Sequence, residues 1–354
     1  MNTADLKFNI IYTPGMVRYL SPFVKSMLDW CDCSLRLISN GCSEDEVKQL
    51  QRICDYFDRL ELLVMPQQEM IPHGDMLEYM QTLDESDYYC FMDSDVIATG
   101  PFMDDFRDDL NTSEVFSSGL PLWGVEKDFR IPPYFKSLHG IHAHSGDMTV
   151  ACDYFVIYNN KAFQETLDAT GMGMKLIGWD NIPPDQQKML QDLGQEFGDY
   201  DTGKVFTLLM AARGARIKFR ESKMLKHIGG FATVGEHKGK MLHSRNRLDQ
   251  LAYHSPRFLG RFIIRLADIW SARKQSTDYH TRRENINLAS RNRKRIITAR
   301  YFYLLLVGLM DDKPTPEPPL LGDAGAERRV REVSEDLRRL AIQVRTEPGP
   351  WQDQ

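Results

Sequence analysis

The sequence predicts an α/β protein with a mostly parallel central sheet and a helical C-terminal extension. Three observations support this class. Apolar runs alternate at short range with amphipathic stretches up to residue 93, as in parallel sheets covered by helices on both faces. Helical signals dominate after about residue 250. With 354 residues, 42% of them hydrophobic, the chain can bury a sizeable core.

Four apolar runs in the first part of the chain are predicted to form strands. They cover residues 6–13 (LKFNIIYT), 34–39 (SLRLIS), 60–65 (LELLVM) and 88–92 (YYCFM). The first run ends at Pro14-Gly15 and the second at Asn40-Gly41, which are turn signals. These strands therefore have polar or turn residues at their carboxyl ends.

Helix signals fall between these runs. Ser21-Pro22 supplies an N-cap and a proline at the first helical position. Ser43 and Glu46 form a capping box for the next helix, and another helix is predicted over about residues 75–83. The second half is predicted to contain a strand, two helices and a strand, in that order, at residues 153–158, 161–167, 205–212 and 215–219.

The fourth strand ends abruptly at two aspartates, Asp93 and Asp95, in the stretch YYCFMDSDVIATG. Two neighbouring carboxylates repel each other, so a divalent cation is their natural partner. Such a cation would hold a diphosphate and stabilise the charge on a departing nucleoside diphosphate. The plainer interpretation is a solvated loop that happens to carry two acids.

Other polar residues are expected near this pair. Thr13, Pro14 and Asn40 also follow strand ends, where α/β sheets bind ligands. Farther along the chain, His227 stands beside glycines in MLKHIGGF. One histidine with two aspartates suits Mn²⁺, although a single histidine is more often structural.

With these residues in place, residues 6–245 resemble a GT-A-fold glycosyltransferase, and most of all the large inverting group that uses nucleotide sugars. The resemblance rests on a strand-helix half that ends in Asp-x-Asp, a looser second half, and a downstream histidine followed by GGFATV. It implies two abutting Rossmann-like halves around a mostly parallel central sheet. It also implies dependence on Mn²⁺ or Mg²⁺ and a nucleotide-diphosphate sugar as donor.

The resemblance implies a role for each candidate residue. Asp93 and Asp95 would hold the metal and the ribose and diphosphate of the donor, and His227 would complete the metal shell. The base and ribose would be lined by Thr13, Pro14 and Asn40. These residues do not indicate the acceptor. The candidate classes are a glycan, a lipid-linked sugar, a protein and a small molecule.

Asp201, in the stretch DYDTGKVF, is the candidate general base that takes the proton of the acceptor hydroxyl. It occupies the place where the inverting enzymes carry an acidic residue at the start of a helix. The structural alternatives are an N-cap for the helix near Val205 and a turn residue before Gly203. The base and structural interpretations carry similar weight.

Three other functions stay open. A retaining GT-A enzyme is the first alternative, because PPDQQKML at residues 183–190 and His-Ile-Gly-Gly partly match that group. In addition, the second strand lacks the acidic residue with which the inverting enzymes read the base. Asp93-Ser94-Asp95 also fits haloacid-dehalogenase-like phosphatases, although three strands precede it here where those proteins usually have none. The third alternative is a non-catalytic protein that binds nucleotide sugars.

Charge divides the chain into segments. Residues 1–250 carry a net charge of −12, residues 251–310 a net charge of +9, and residues 311–354 a net charge of −3, within a total of −6. The total does not suggest a nucleic-acid partner. The predicted domains are a catalytic domain at 1–245, a basic helical extension at 246–312, a proline-rich linker at 313–325, and a terminal helix and tail at 326–354.

Residues 257–274 predict an amphipathic helix with apolar residues on one face and Arg257, Arg261 and Arg265 on the opposite edge. Packing of that face on the core is favoured over contact with an anionic membrane. The N-terminus lacks the pattern of a secretory signal, so the expected location is cytoplasmic, with peripheral contact at the inner face of the membrane as an alternative. The six cysteines are accordingly expected to be reduced.

A second cluster occurs in HGIHAHSGDM, residues 139–148. Its histidines and aspartate suggest either a second metal site or an acceptor-binding loop, and the second is favoured because aromatic residues lie upstream. The structural alternative is a lid packed by its own aromatic side chains. The residues concerned are His139, His142, His144 and Asp147, with Trp123 and Tyr134.

Overall fold

The computed structural model of the protein describes most of the chain. The described residues are 3–67, 69–118, 120–121, 143–145, 148–150, 154–195, 199–231, 255–273, 294 and 297–351. The chain divides into two compact units. The first comprises Met1–Pro14, Phe23–Leu120 and Pro133–His227, and the second comprises Gly15–Pro22, Pro121–Pro132 and Ile228–Gln354.

Seven strands form the central sheet of the first unit. Their order is β13-β6-β10-β4-β1-β2-β3. All neighbouring pairs are parallel except those of β10, which is antiparallel to both β4 and β6. The strands are β1 (Lys7–Tyr12), β2 (Ser34–Ser39), β3 (Leu60–Val64), β4 (Tyr88–Asp93), β6 (Val115–Ser118), β10 (Phe155–Asn159) and β13 (Ile217–Arg220). The predicted α/β class with a mostly parallel sheet is confirmed.

Within the described residues, seven shorter strands lie outside this sheet. Two of them, β5 and β14, pair in antiparallel fashion and are central to the site described below. The short strands are β5 (Val96–Ala98), β7 (Leu120–Pro121), β8 (Ala143–Ser145), β9 (Met148–Val150), β11 (Ile177–Gly178), β12 (Asp199–Tyr200) and β14 (Leu225–His227).

The strand order reverses beside β1. The chain proceeds from β1 to β2 and β3 on one side, and then returns to place β4 on the other side of β1. In open α/β sheets, the crevice at the carboxyl ends of two such strands is where ligands bind. Ile11 of β1 is paired with Asp93 of β4, so the predicted aspartate pair lies at this point of the sheet.

Helices join most of the strands of the first unit. Helix α3 begins with the predicted capping box, in which Ser43 and Glu46 satisfy each other's backbone N–H groups. Helix α6 ends at Gly171, whose positive φ of 62° suits glycine. The helices up to residue 212 are α1 (Val17–Leu20), α2 (Pro22–Trp30), α3 (Glu44–Tyr56), α4 (His73–Thr82), α5 (Arg107–Thr112), α6 (Asn160–Thr170), α7 (Pro184–Asp192) and α8 (Lys204–Ala212).

The core of the first unit is rich in aromatic rings. Phe155 of β10 is fully buried and stacks on Phe8 of β1, with 4.7 Å between the ring centroids. Phe102 and Phe106 contact the same ring at 5.8 and 6.2 Å. These contacts fix β10 against the neighbouring layer, and β10 in turn borders the strand that carries Asp93.

The described part of the second unit is mainly helical. It contains α9 (Arg257–Arg273), a helix over residues 297–310, and α10 (Ala324–Thr346). Tyr301 and Ser334 share a buried hydrogen bond of 2.9 Å between the last two helices, and Lys294 pairs with Asp323, the N-cap of α10, at 2.9 Å. Residues 313–321, rich in proline, have no helix or strand.

The described cysteines are free thiols. The face of α9 that was expected to pack on the core is instead exposed at Phe258, Leu259, Phe262 and Leu266.

Among the described residues, no helix combines the length and the apolar character that a membrane span requires.

Candidate functional site

The candidate site forms where β4 ends. Asp93 is the last residue of β4, a tight turn carries Asp95, and β5 begins at Val96. Strand β14 runs antiparallel to β5 and pairs His227 with Val96. This pairing brings a residue from the end of the first unit to the turn that holds the aspartates. The sequence predicted the three residues but not the two short strands that join them.

The three side chains form one compact group. The Nε2 atom of His227 lies 3.1 Å from Oδ1 of Asp95 and 3.3 Å from Oδ2 of Asp93. One possible ligand atom from each residue can be chosen so that all three lie within 4.8 Å of one another. The side chain of Asp95 is 8% exposed and that of His227 is 12% exposed, whereas that of Asp93 is 31% exposed. The group is therefore accessible mainly past Asp93.

The electrostatics of the group favour a cation. Burial lowers the pKa of His227, but the charge of Asp95, hydrogen bonds to both carboxylates and the charge of Asp93 outweigh it and raise that pKa to about 10. Two carboxylates thus stabilise positive charge at the imidazole. A proton supplies that charge, and a divalent metal ion at the same place would supply it too.

The residues present fit a divalent metal ion. Two carboxylate oxygens and one imidazole nitrogen form a mixed set of the kind that binds Mn²⁺, and the oxygens also suit Mg²⁺. Three protein ligands leave coordination positions for oxygens of a substrate. The partial exposure of Asp93 gives such a substrate access to the group.

Tyr154 supports two members of this group and was missed by the sequence reasoning. Its ring stacks on the imidazole of His227, with 4.2 Å between centroids and 19° between planes. Its carbonyl oxygen accepts a hydrogen bond of 3.0 Å from the N–H of Asp93. An aromatic residue directly before a buried strand was the available signal, but the sequence does not show that it faces a distant histidine.

We expect Tyr154→Leu to weaken Mn²⁺ binding about tenfold, because residues that orient metal ligands typically affect affinity by 10- to 100-fold. The imidazole of His227 would lose the ring that fixes its plane. Tyr154→Phe keeps that ring and should bind Mn²⁺ nearly as well as the wild type. Isothermal titration with Mn²⁺ measures this, with circular dichroism as the check on folding. Equal affinities in wild type and Tyr154→Leu would contradict the supporting role.

His73 approaches Asp93 from the other side. Its Nε2 atom lies 4.0 Å from Oδ1 of Asp93, whereas His227 contacts Oδ2 of the same carboxylate. The side chain of His73 is 43% exposed, and its ring meets that of Phe91 edge-on. His73 is the first residue of α4, so it also lies at a helix N-terminus. The sequence signal was a histidine at the start of the helix that follows the third strand.

Asn40 is buried and uses its side chain to hold a loop. Its amide nitrogen donates to the carbonyl of Ile71 at 2.9 Å, and its Oδ1 accepts from the N–H of Ile71 at 2.8 Å. This loop leads directly into α4 and His73. Thr13 is half-buried and Pro14 is exposed just beyond β1. Contact of these three residues with a base or ribose remains a prediction.

Asp201 lies in the turn before α8. Its Oδ1 accepts a hydrogen bond of 3.0 Å from the N–H of Thr202, as expected of a turn residue. The N-cap of α8 is Gly203, with a φ of 75°, so Asp201 does not cap that helix. Asp201 is not part of the group formed by the two aspartates and His227. Its role as a general base remains a prediction.

Two other predicted features fall partly or wholly outside this group. PPDQQKML forms the start of α7, where Gln186 donates to the carbonyl of Thr170 and Gln187 to that of Trp179. His144 lies on β8, and its side chain is not described. The remaining members of that stretch and its aromatic neighbours lie outside the described residues: His139, His142, Asp147, Trp123 and Tyr134.

Comparison with known proteins finds structural likenesses only. No protein-family model and no curated protein matches the chain. Among solved structures, the chain is similar to the galactosyltransferase LgtC in complex with donor and acceptor sugar analogues. The identity is 10% and the TM-score 0.37, over 60% of this chain and 73% of that one.

Two other structures show a comparable likeness. For S. aureus TarS 1–349 in complex with UDP, the identity is 14% and the TM-score 0.38, over 94% of this chain and 92% of that one. For the glycosyltransferase GlyE of Streptococcus pneumoniae TIGR4, the values are 15% and 0.31, over 55% and 45%. LgtC and GlyE belong by name to the class of enzyme that the sequence resembles. These TM-scores are below 0.5, so the function is inferred from the chain's own topology and geometry.

Proposed function

We propose that the protein is a metal-dependent glycosyltransferase that moves a sugar from a nucleotide-diphosphate sugar to an acceptor hydroxyl. One observation carries the proposal. Asp93, Asp95 and His227 converge at the carboxyl end of β4, beside the point where the strand order of the sheet reverses. Two acids and an imidazole at that point suit a metal ion and a diphosphate together.

The proposed roles follow from burial and exposure. Asp95 and His227 are nearly enclosed and would form the fixed part of the metal shell, while the more exposed Asp93 would face the donor. Mn²⁺ or Mg²⁺ held there supplies positive charge that neutralises the diphosphate. Tyr154 keeps the imidazole in position, and the loop that Asn40 holds leads to His73, whose Nε2 atom lies 4.0 Å from Oδ1 of Asp93.

In the proposed reaction, Asp201 takes the proton of the acceptor hydroxyl. The acceptor oxygen forms a bond to the anomeric carbon, and the bond from that carbon to the diphosphate oxygen breaks. The nucleoside diphosphate leaves with the electron pair of the broken bond. Attack from the face opposite the leaving group inverts the anomeric centre, and the proton remains on Asp201.

We infer that the catalytic part is residues 1–245, since every residue assigned a role lies within it. The basic segment at 246–312 and the terminal helix at 326–354 would then be accessory. Thr13, Pro14 and Asn40 are retained as the residues next to the base and ribose because they follow the carboxyl ends of β1 and β2. The proposed location is cytoplasmic.

A thermal-shift screen of nucleoside diphosphates and nucleotide sugars, with and without Mn²⁺, tests the proposal. A ligand at 100 times its dissociation constant adds about 2.7 kcal/mol of stability, which should raise the melting temperature by several degrees. The increase is expected only when nucleotide and Mn²⁺ are both present. A panel in which no nucleotide stabilises the protein would refute the proposal.

Turnover assays separate the remaining functions. Metal-dependent hydrolysis of a nucleotide sugar without acceptor is expected for a transferase. Hydrolysis of a generic phosphate ester without any action on nucleotide sugars would instead identify a phosphatase. Binding without hydrolysis or transfer would identify a non-catalytic binding protein. Proton NMR of the first anomeric product distinguishes inversion from retention.

A further inference from the structure

Helix α9, Arg257–Arg273, presents apolar side chains to the solvent. Phe258 is 77% exposed, Phe262 58%, Leu266 50% and Leu259 41%. Phe258, Phe262 and Leu266 are spaced four residues apart, so they lie in one row along the helix. We refer to these four side chains as the apolar ridge. Large hydrophobic side chains grouped in this way indicate an interaction surface.

The opposite side of α9 already has a partner within the second unit. Ile264 is only 4% exposed and Gly260 is buried. A Cβ atom placed on Gly322 would lie 3.2 Å from Cγ2 of Ile264, so the two residues are in close contact. The helix therefore docks through Ile264 and Gly260, and among the described residues its apolar ridge is exposed.

Positive charge accompanies the ridge. Arginines occupy positions 257, 261 and 265, one residue before each member of the row 258, 262 and 266. On a helix, this offset makes two adjacent rows, one basic and one apolar. Arg265 is exposed. The helix has four arginines and one aspartate, within a segment of net charge +9 in a protein of net charge −6.

We propose that this face of α9 binds the surface of an anionic lipid bilayer, with the helix lying in the plane of the interface. Apolar and basic side chains next to each other are what such a helix requires, because the apolar side chains enter the acyl boundary while the exposed Arg265 meets lipid phosphates. A second copy of the chain is less suited to this face, since like charges would meet across a symmetric interface. The proposal is independent of the catalytic function.

Vesicle co-sedimentation tests the proposal on the full-length protein. We expect binding to vesicles of phosphatidylcholine and phosphatidylglycerol, and little binding to vesicles of phosphatidylcholine alone. Phe258→Ser/Phe262→Ser should lower partitioning into the anionic vesicles at least about tenfold. The matched control is Ile342→Ser, which removes a 59%-exposed apolar side chain from α10 and should leave partitioning unchanged.

A charge-reversal pair tests the electrostatic part. Arg265→Glu should reduce binding and its dependence on salt, whereas Arg328→Glu, the same change at a 71%-exposed position of α10, should not. Failure of the wild type to bind anionic vesicles would overturn the proposal, as would equal binding by Phe258→Ser/Phe262→Ser. A dimer in light-scattering measurements that this double variant abolishes, without vesicle binding, would assign the ridge to a second copy and overturn it too.

Discussion

Asp93→Asn is expected to lower metal-dependent turnover of a nucleotide sugar at least about 100-fold. The substitution removes one of two carboxylates that hold the proposed metal, and the one that is more exposed toward a substrate. Titration with Mn²⁺ should show the same loss of affinity as the turnover assay. Folding should be retained, because His227 still contacts Asp95 at 3.1 Å.

The control for Asp93→Asn is Asp104→Asn, the same change at a side chain that is 85% exposed and pairs only with Arg107 among the ion pairs of the described residues. This variant should bind Mn²⁺ and turn over substrate as the wild type does. If Asp93→Asn retained wild-type Mn²⁺ affinity and turnover, the assignment of the metal site would be wrong.

Two histidines beside Asp93 provide a sharper comparison. His227→Gln should abolish Mn²⁺ binding, because Nε2 of His227 belongs to the three-residue group. His73→Gln should retain it, because His73 lies 4.0 Å from the other oxygen of Asp93 and outside that group. The same substitution is thus made on both sides of one carboxylate. Equal loss of Mn²⁺ binding in the two variants would require a metal site that includes His73.

Much of the fold could be predicted because its signals are local. β2 begins and ends at the predicted residues, Ser34 and Ser39, and the capping box of α3 forms as expected from Ser43 and Glu46. Period-two apolar runs and capping residues act over a few positions and can be read from sequence. The location of Asp93 at a strand end followed from the same signals.

The assembly of the site could not be predicted in full, because it depends on contacts between distant residues. Strands β5 and β14 have three residues each, too few for a periodic signal, yet their pairing brings His227 to the aspartates. The stacking of Tyr154 on His227 depends on this pairing. Asn40 was expected near the base, and its hydrogen bonds to Ile71 became visible only in three dimensions.

The exposure of α9 shows another limit of sequence patterns. An apolar stripe at helical spacing indicates that a face will be buried, but not which partner buries it. In the structure, α9 contacts the rest of the second unit through Ile264, on the side opposite the apolar ridge. Phe258 and Phe262 are exposed. Periodicity identified the helix, and burial identified the surface available to a partner.

Phe155→Ala is expected to lower the free energy of unfolding by about 3–5 kcal/mol, the usual cost of removing a buried phenyl ring. Phe155 is fully buried and contacts Phe8, Phe102 and Phe106. The matched control is Phe258→Ala, the same substitution at a 77%-exposed ring, which should change stability by less than about 0.5 kcal/mol. Urea denaturation followed by circular dichroism measures both, and equal destabilisation would contradict the packing described for β10.

The same substitution should also reach the metal site. Phe155 pairs with Met92, the residue before Asp93, and follows Tyr154, which stacks on His227. A cavity at Phe155 would therefore loosen the strand that carries one ligand and the residue that orients another. We expect Phe155→Ala to weaken Mn²⁺ binding under conditions in which the protein remains folded, and Phe258→Ala to leave it unchanged. A loss of stability without any loss of Mn²⁺ affinity would show that the positions of Asp93 and His227 do not depend on the packing of Phe155.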